Sequence, residues 1–182
     1  MEPAIHLRWL EARLERPLEL ARVERLEDVP GDLVVNCTGI GARRLAGDEA
    51  LAALLGQTVI VEPGEVDPRR MHGDERDLSR MLYVIPRRSE VVIGGCALLF
   101  EGDALPAPDP ALRTAFLARA GAAGFRHGPV LRDAVGLRPV RPEVRVERVG
   151  RIVHHYGHGG AGYTLARGSA EEVARLVRVT RP

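Results

Sequence analysis

The sequence predicts an α+β fold, a mixed sheet with helices flanking it, and three stretches carry the prediction. Asp32-Leu33-Val34-Val35-Asn36 is apolar with polar ends, the pattern of a short strand covered on both faces. Leu82-Tyr83-Val84-Ile85-Pro86 and Glu90-Val91-Val92-Ile93-Gly94 are apolar, largely β-branched runs separated by Arg87-Arg88-Ser89, which reads as an antiparallel hairpin. Arg148 to Val153 is a third such run. It leads into His154-His155-Tyr156-Gly157-His158-Gly159-Gly160-Ala161-Gly162 and then into Ala170 to Val177, which has helical spacing. The glycines therefore sit at a strand-to-helix junction, where backbone turns or lies bare against a ligand.

Taken in order, Pro3 suits a first helical turn, and Ile5, Trp9, Leu10 and Leu14 share a face up to Arg16, before Pro17. Leu18 to Val23 reads as a strand and Leu26 to Gly31 as a turn. After the apolar strand, Cys37-Thr38-Gly39-Ile40-Gly41 turns into a helix expected from Ala42 to Leu55, and Gln57 to Val61 is the next strand. Residues 63 to 78 are rich in Pro, Gly, Arg and Asp without periodicity, so a loop or lid is expected. Asp109-Pro110 marks a helix start, with Leu112, Ala115, Phe116, Arg119 and Ala120 giving an amphipathic helix that ends near Gly121 to Gly124. Val130 to Arg138 and Val144 to Glu147 complete the strands.

A chain of 182 residues with 45% hydrophobic content buries a real core. Its net charge of +1 gives no field to recruit nucleic acid or an acidic membrane. All 26 basic residues are Arg. The two cysteines, Cys37 and Cys96, lie far apart and fit free thiols in a reducing cytosol. No basic and apolar leader and no long apolar run occurs, so a soluble cytoplasmic protein is expected.

Four chemistries can be weighed on residues alone. Gly39-Ile40-Gly41 follows a strand and opens a helix, but Arg44 stands where a dinucleotide turn needs its third glycine. His158-Gly159-Gly160-Ala161-Gly162 has the look of an oxyanion loop, yet no Gly-x-Ser-x-Gly elbow exists to supply a nucleophile. His154 and His155 would point to opposite faces of a strand, which argues against a metal site. Gly136-Leu137-Arg138-Pro139-Val140-Arg141-Pro142 holds an arginine between apolar and proline neighbours. Such a fork matches a carboxylate through two hydrogen bonds, although a surface arginine gives the same letters.

Together, Asp32 to Gly39, Tyr83-Val84-Ile85-Pro86, Gly136 to Pro142 and His155 to Thr164, in this order and at these separations, resemble the D-amino-acid oxidase family of flavoenzymes. The resemblance spans nearly the whole chain but begins in the middle of the family's pattern. The amino-terminal half, with the Gly-x-Gly-x-x-Gly turn that holds the dinucleotide, is expected to be missing. It implies a residual part of an FAD-binding domain over 1–56, a substrate-binding domain over 57–145, and over 146–182 a returning FAD-domain strand, the Gly-rich loop and the last helix.

The resemblance further implies that Arg138 grips the substrate carboxylate, that the Tyr83 hydroxyl supports it, and that the Gly160 carbonyl accepts from the substrate amine. Gly159, Gly160, Ala161, Gly162, Tyr163 and Thr164 correspond to backbone lying against FAD, with Thr38 and Val23 near the cofactor. No protein acid or base, and no metal, is implied, because the flavin carries the chemistry: a D-amino acid gives a keto acid, ammonia and hydrogen peroxide. Ser79 stands where some members carry a second tyrosine, Tyr163 where Leu or Val is usual, and Arg167 where an aromatic is frequent. An open edge of the FAD-domain sheet implies a separate chain or a second copy covering it. A non-catalytic remnant, or an oxidase of glycine or a secondary amine, are the alternatives.

Overall fold

The structure, a computed structural model, describes residues 2–76, 81–102 and 104–178. Among the described residues eight strands form one sheet: β1 (Val34–Asn36), β2 (Ala52–Val61), β3 (His72–Asp74), β4 (Leu82–Pro86), β5 (Val91–Gly94), β6 (Leu98–Phe100), β7 (Val130–Val149) and β8 (Ile152–His158). Among the described residues four α-helices accompany them: α1 (Pro3–Glu11), α2 (Ala42–Leu45), α3 (Pro110–Ala122) and α4 (Gly162–Arg178). The strand order is β1-β8-β7-β2-β5-β4-β3, with β6 also pairing with β2. β1 and β8 run parallel, and every other pairing is antiparallel. Among the described residues no helix is long and apolar enough to cross a membrane.

Strand alternation gives the middle of this sheet two different faces. Val59, Val61, Val84, Val91 and Ile93 point to one face and close with Phe116 and Ala120 of α3 into the main core. The cross-strand partners Gly56 and Gly136, Thr58 and Gly94, and Tyr83 and Gly94 are on the other face, with Leu54 opposite Arg138. One face is thus filled by a helix, and the other is left to form the floor of a cleft. α3 is fixed at its start: the Asp109 side chain accepts from the Ala111 N–H, and Pro110 occupies the first turn. Buried Gln57 exchanges two 2.8 Å bonds with the Asp109 backbone, tying that start to β2.

The outer strands carry a second, smaller core of Ala42, Leu51 and Tyr156. Beside it a charged cluster joins the segment after α2 to β7 and β8. Asp48 accepts from Arg141 Nε at 2.9 Å, from the Tyr156 hydroxyl at 2.8 Å and from Arg145 Nη1 at 3.4 Å. Between Val140 and Arg145 the pairing of β7 with β8 shifts register. Pro142, which has no N–H to give a ladder, falls in that irregular stretch. Gly157 stands beside it with φ +91°, and a Cβ there would come within 2.9 Å of Arg141 Cβ.

Several expectations need correction. The helix over 42–55 is only the 3-10 turn Gly39–Gly41 plus α2, and residues from Ala52 onward enter β2. That segment is flanked by β7 and β6, whose ladders outweigh its helix-forming alanines and leucines. The strand at 18–23 is not formed, since nothing pairs with it and Leu18 and Leu20 are exposed. The first helix stops at Glu11 rather than Arg16 and buries no residue, so no tertiary packing extends it. The stretch 63–78 contains β3, paired with β4; its last two residues and Ser79 lie outside the described residues. The runs 130–138, 144–147 and 148–149 are one continuous strand. The strand before the glycines starts only at Ile152, after a turn at Gly150 with φ +60°. The last helix begins at Gly162, eight residues before its periodic stretch.

Candidate active site

Arg138 lies on β7 opposite Leu54, and its side chain extends along the cleft face over Gly56. A Cβ at residue 56 would land on the guanidinium, so only glycine leaves room for it. Arg138 Nη1 donates to the Cys96 carbonyl at 2.9 Å, which fixes the plane of the fork. The Tyr83 hydroxyl lines the same cleft, where the Arg138 charge acts on it. Burial pushes the Tyr83 phenol above its ordinary value while Arg138 acts the other way, so this hydroxyl is a neutral donor at physiological pH.

The Tyr83 ring is bedded on bare peptide. Cβ atoms at Gly94 and Gly95 would approach it to within 2.5–2.8 Å. Gly95→Ala is therefore expected to push the hydroxyl off Arg138 and to weaken carboxylate binding about tenfold, the loss of one bond to a charged group. Isothermal titration with a small carboxylate such as propionate measures this, and unchanged affinity would show that Tyr83 does not contribute.

Arg138, Tyr83 and Gly160 line one cleft of about 530 Å³ together with Leu54, Thr58, Ile85 and Val92. Gly160 also comes up to Arg138: a Cβ on it would sit 3.9 Å from Arg138 Cδ. Residues Gly159–Ala161 form a 3-10 turn running straight into α4, whose residues are all at least partly exposed. Gly159 has φ +55°, and a Cβ there would press within 3.3 Å of Val140 Cγ2. Gly162 has open space where its Cβ would be. A bare glycine edge at the start of a 17-residue helix, beside an arginine cleft, fits a flat electron-rich group.

The other cofactor-side candidates are spread more widely. Among the described residues only Gly160 of the set 159–164 lines the arginine cleft. Tyr163 is half exposed with its ring 6.3 Å from that of His6, and Arg167 pairs with Glu171. Thr38 donates from Oγ1 to Asn36 Oδ1 at 2.7 Å, at the end of β1. The Val23 carbonyl accepts from Arg44 at 3.1 Å, so Arg44 braces the preceding segment. The adjacent histidines do diverge: His154 meets buried Asn36 at 3.2 Å, and His155 meets Cys37 Sγ at 3.5 Å and the ring of His158 at 4.8 Å. Burial lowers the pKa of all three, which keeps them neutral. No group of three metal-ligating residues occurs among the described residues.

Sequence reasoning missed Gly56, the Gly94-Gly95 pair and the Cys96 carbonyl, which together seat Arg138 and Tyr83. The paired glycines at the end of an apolar strand were the available signal, because a strand interior has no other use for them.

Residues 10–176 match the family model described as FAD dependent oxidoreductase. A D-amino-acid oxidase of Streptomyces coelicolor is 40% identical over 190 residues, covering 97% of this chain and 57% of that protein. A D-aspartate oxidase of Homo sapiens is 37% identical, covering 94% of this chain and 53% of that protein. The chain thus spans about half the length of the curated relatives it matches. Among solved structures, a glycine oxidase from Geobacillus kaustophilus superposes with a TM-score of 0.66 at 18% identity, over 82% of this chain and 42% of that one, a likeness of fold.

Proposed function

The chain belongs to the family of FAD-dependent oxidoreductases, and on that premise we propose that it forms the substrate-binding part of an enzyme that oxidatively deaminates D-amino acids. One observation carries the reading: the Arg138 fork, seated on Gly56 and held by the Cys96 carbonyl, faces the cleft that Gly160 also lines. A substrate carboxylate takes two parallel bonds from the fork and a third from the Tyr83 hydroxyl. The Gly160 carbonyl accepts from the substrate amine, which leaves Cα directed at the glycine edge. Leu54, Thr58, Ile85 and Val92 provide a mostly apolar floor for the side chain.

Gly159, Gly160, Ala161, Gly162, Tyr163 and Thr164, with Thr38 and Val23 behind them, are the residues that would hold FAD. When bound, FAD supplies a two-electron acceptor for oxidation of the Cα–N bond, regenerated by oxygen with release of hydrogen peroxide. The protein's contribution is orientation, and the resulting imino acid hydrolyses to a keto acid and ammonia. In this reading 1–56 and 146–182 serve the cofactor side and 57–145 the substrate side. Among the described residues β1 pairs only with β8, which leaves its other side an open edge. A second chain or a second copy covers that edge. The two free cysteines fit a cytoplasmic location.

The test is to titrate the purified chain with FAD by flavin fluorescence, then follow peroxide release on D-alanine, L-alanine, glycine and sarcosine. Uptake of FAD with peroxide from D-alanine and none from L-alanine is expected. Peroxide from glycine or sarcosine alone would overturn the substrate assignment, and failure to take up FAD would overturn catalysis by the chain on its own.

A further inference from the structure

The alternation that brings Tyr83 to the cleft face continues past it. Ile85 follows on the same face opposite Val92, and Arg87 comes two residues later, lining the same cleft as Arg138. From Tyr83 to Arg87 the chain advances about 13 Å at strand rise. The floor between them is apolar. At its far end Glu90 accepts from Arg87 Nη1 at 3.1 Å and from Arg132 Nη2 at 2.7 Å. Two guanidiniums thus share one carboxylate, which leaves one positive charge in excess at that end.

The group is not a fully solvated pair. The Arg87 side chain is 31% exposed and that of Glu90 is 17% exposed, so the field there is screened less than on open surface. Among the described residues Arg87 gives one side-chain bond, and the rest of its planar fork is available. The remaining charged lining residue, Glu75, exerts its charge on the Tyr83 phenol, at the opposite end from Arg87.

We propose that Arg87, backed by Arg132, reads the substrate's side chain and selects D-amino acids that carry a second carboxylate at its tip, the class of D-glutamate. This rests on Arg138 as the clamp for the first carboxylate. With that end fixed, the methylenes lie along Ile85 and Val92, and the distal carboxylate reaches the Arg87 fork. A neutral tip of the same shape leaves the excess charge uncompensated.

D-glutamate and D-glutamine differ only in that tip, and isothermal titration of each into the chain with FAD present isolates it. The wild-type chain is expected to bind D-glutamate at least about tenfold more tightly, the weight of one charge-assisted bond. Arg87→Gln brings the ratio close to one, whereas Arg87→Lys, which keeps the charge, retains a preference for D-glutamate. Equal wild-type affinities, both weakened by Arg138→Ala, would overturn the role of Arg87 and leave the clamp standing. Affinities that Arg138→Ala does not change, or no binding of either amino acid, would overturn both. A preference lost in Arg87→Lys as fully as in Arg87→Gln would show that shape rather than charge is read.

Discussion

Replacing Asp48 with alanine is expected to lower the free energy of unfolding by about 3–5 kcal/mol, the cost of leaving buried charge without its partner. The Asp48 side chain is 4% exposed, and the guanidiniums of Arg141 and Arg145 that it holds are themselves mostly covered. Removing the carboxylate leaves Arg141 without its ion pair and takes one partner each from Arg145 and the Tyr156 hydroxyl, which keep each other while Arg145 also keeps Glu147, and it releases the segment after α2 from β7 and β8. The same cluster carries a pH signature. Burial alone would raise the Asp48 carboxyl, but the Tyr156 hydroxyl and the two arginines outweigh it and hold it below its ordinary value of 3.8. A carboxyl depressed in the folded state adds stability that is fully present above the unfolded value. That stability drains away as pH falls through the folded value. Urea unfolding of the wild type should therefore weaken, as pH falls below the ordinary carboxyl value, more steeply than that of Asp48→Asn. Parallel pH profiles, or a loss in Asp48→Ala below about 1 kcal/mol at neutral pH, would show the cluster to be a surface-grade contact.

That cluster also marks how much of the molecule could be read in advance. The α3 start was legible because Asp109-Pro110 carries its own capping chemistry, and the hairpin of β4 and β5 because its runs match strand period. Residues 50–55 misled, since Ala50, Leu51, Ala52, Ala53, Leu54 and Leu55 favour a helix locally, yet Ala52 to Leu55 become strand through partners more than forty residues away. The motif containing Arg138 and Arg141 was legible as a pair of arginines held among prolines. Its division of labour was not, because Arg138 turns to the cleft while Arg141 turns to Asp48. Only the register of β7 against β2 and β8 assigns the two sides. The seat of the clamp escaped for a related reason: Gly56, Gly94 and Gly95 matter for the side chains that lie on them, and those arrive from other strands.

The seat leads to the second large effect. Arg138→Ala is expected to weaken the binding of any D-amino acid by about a hundredfold or more, since two charge-assisted bonds of roughly 1.5–3 kcal/mol each are lost. Arg138→Lys keeps the charge but not the fork, so it should recover only part of that affinity. Gly56→Ala makes the sharper test, because residue 56 offers a ligand no functional group and acts only through the guanidinium lying on it. Its added methyl must displace the fork from the Cys96 carbonyl, so D-alanine and D-leucine should weaken by a common factor. D-alaninamide, which has no carboxylate, should be indifferent to either substitution. Isothermal titration of the three ligands into wild type, Arg138→Ala and Gly56→Ala decides the matter. A carboxylate clamp predicts losses that follow the carboxylate and ignore the side chain. Losses that follow the side chain instead would mean that the fork shapes the cleft wall and holds nothing.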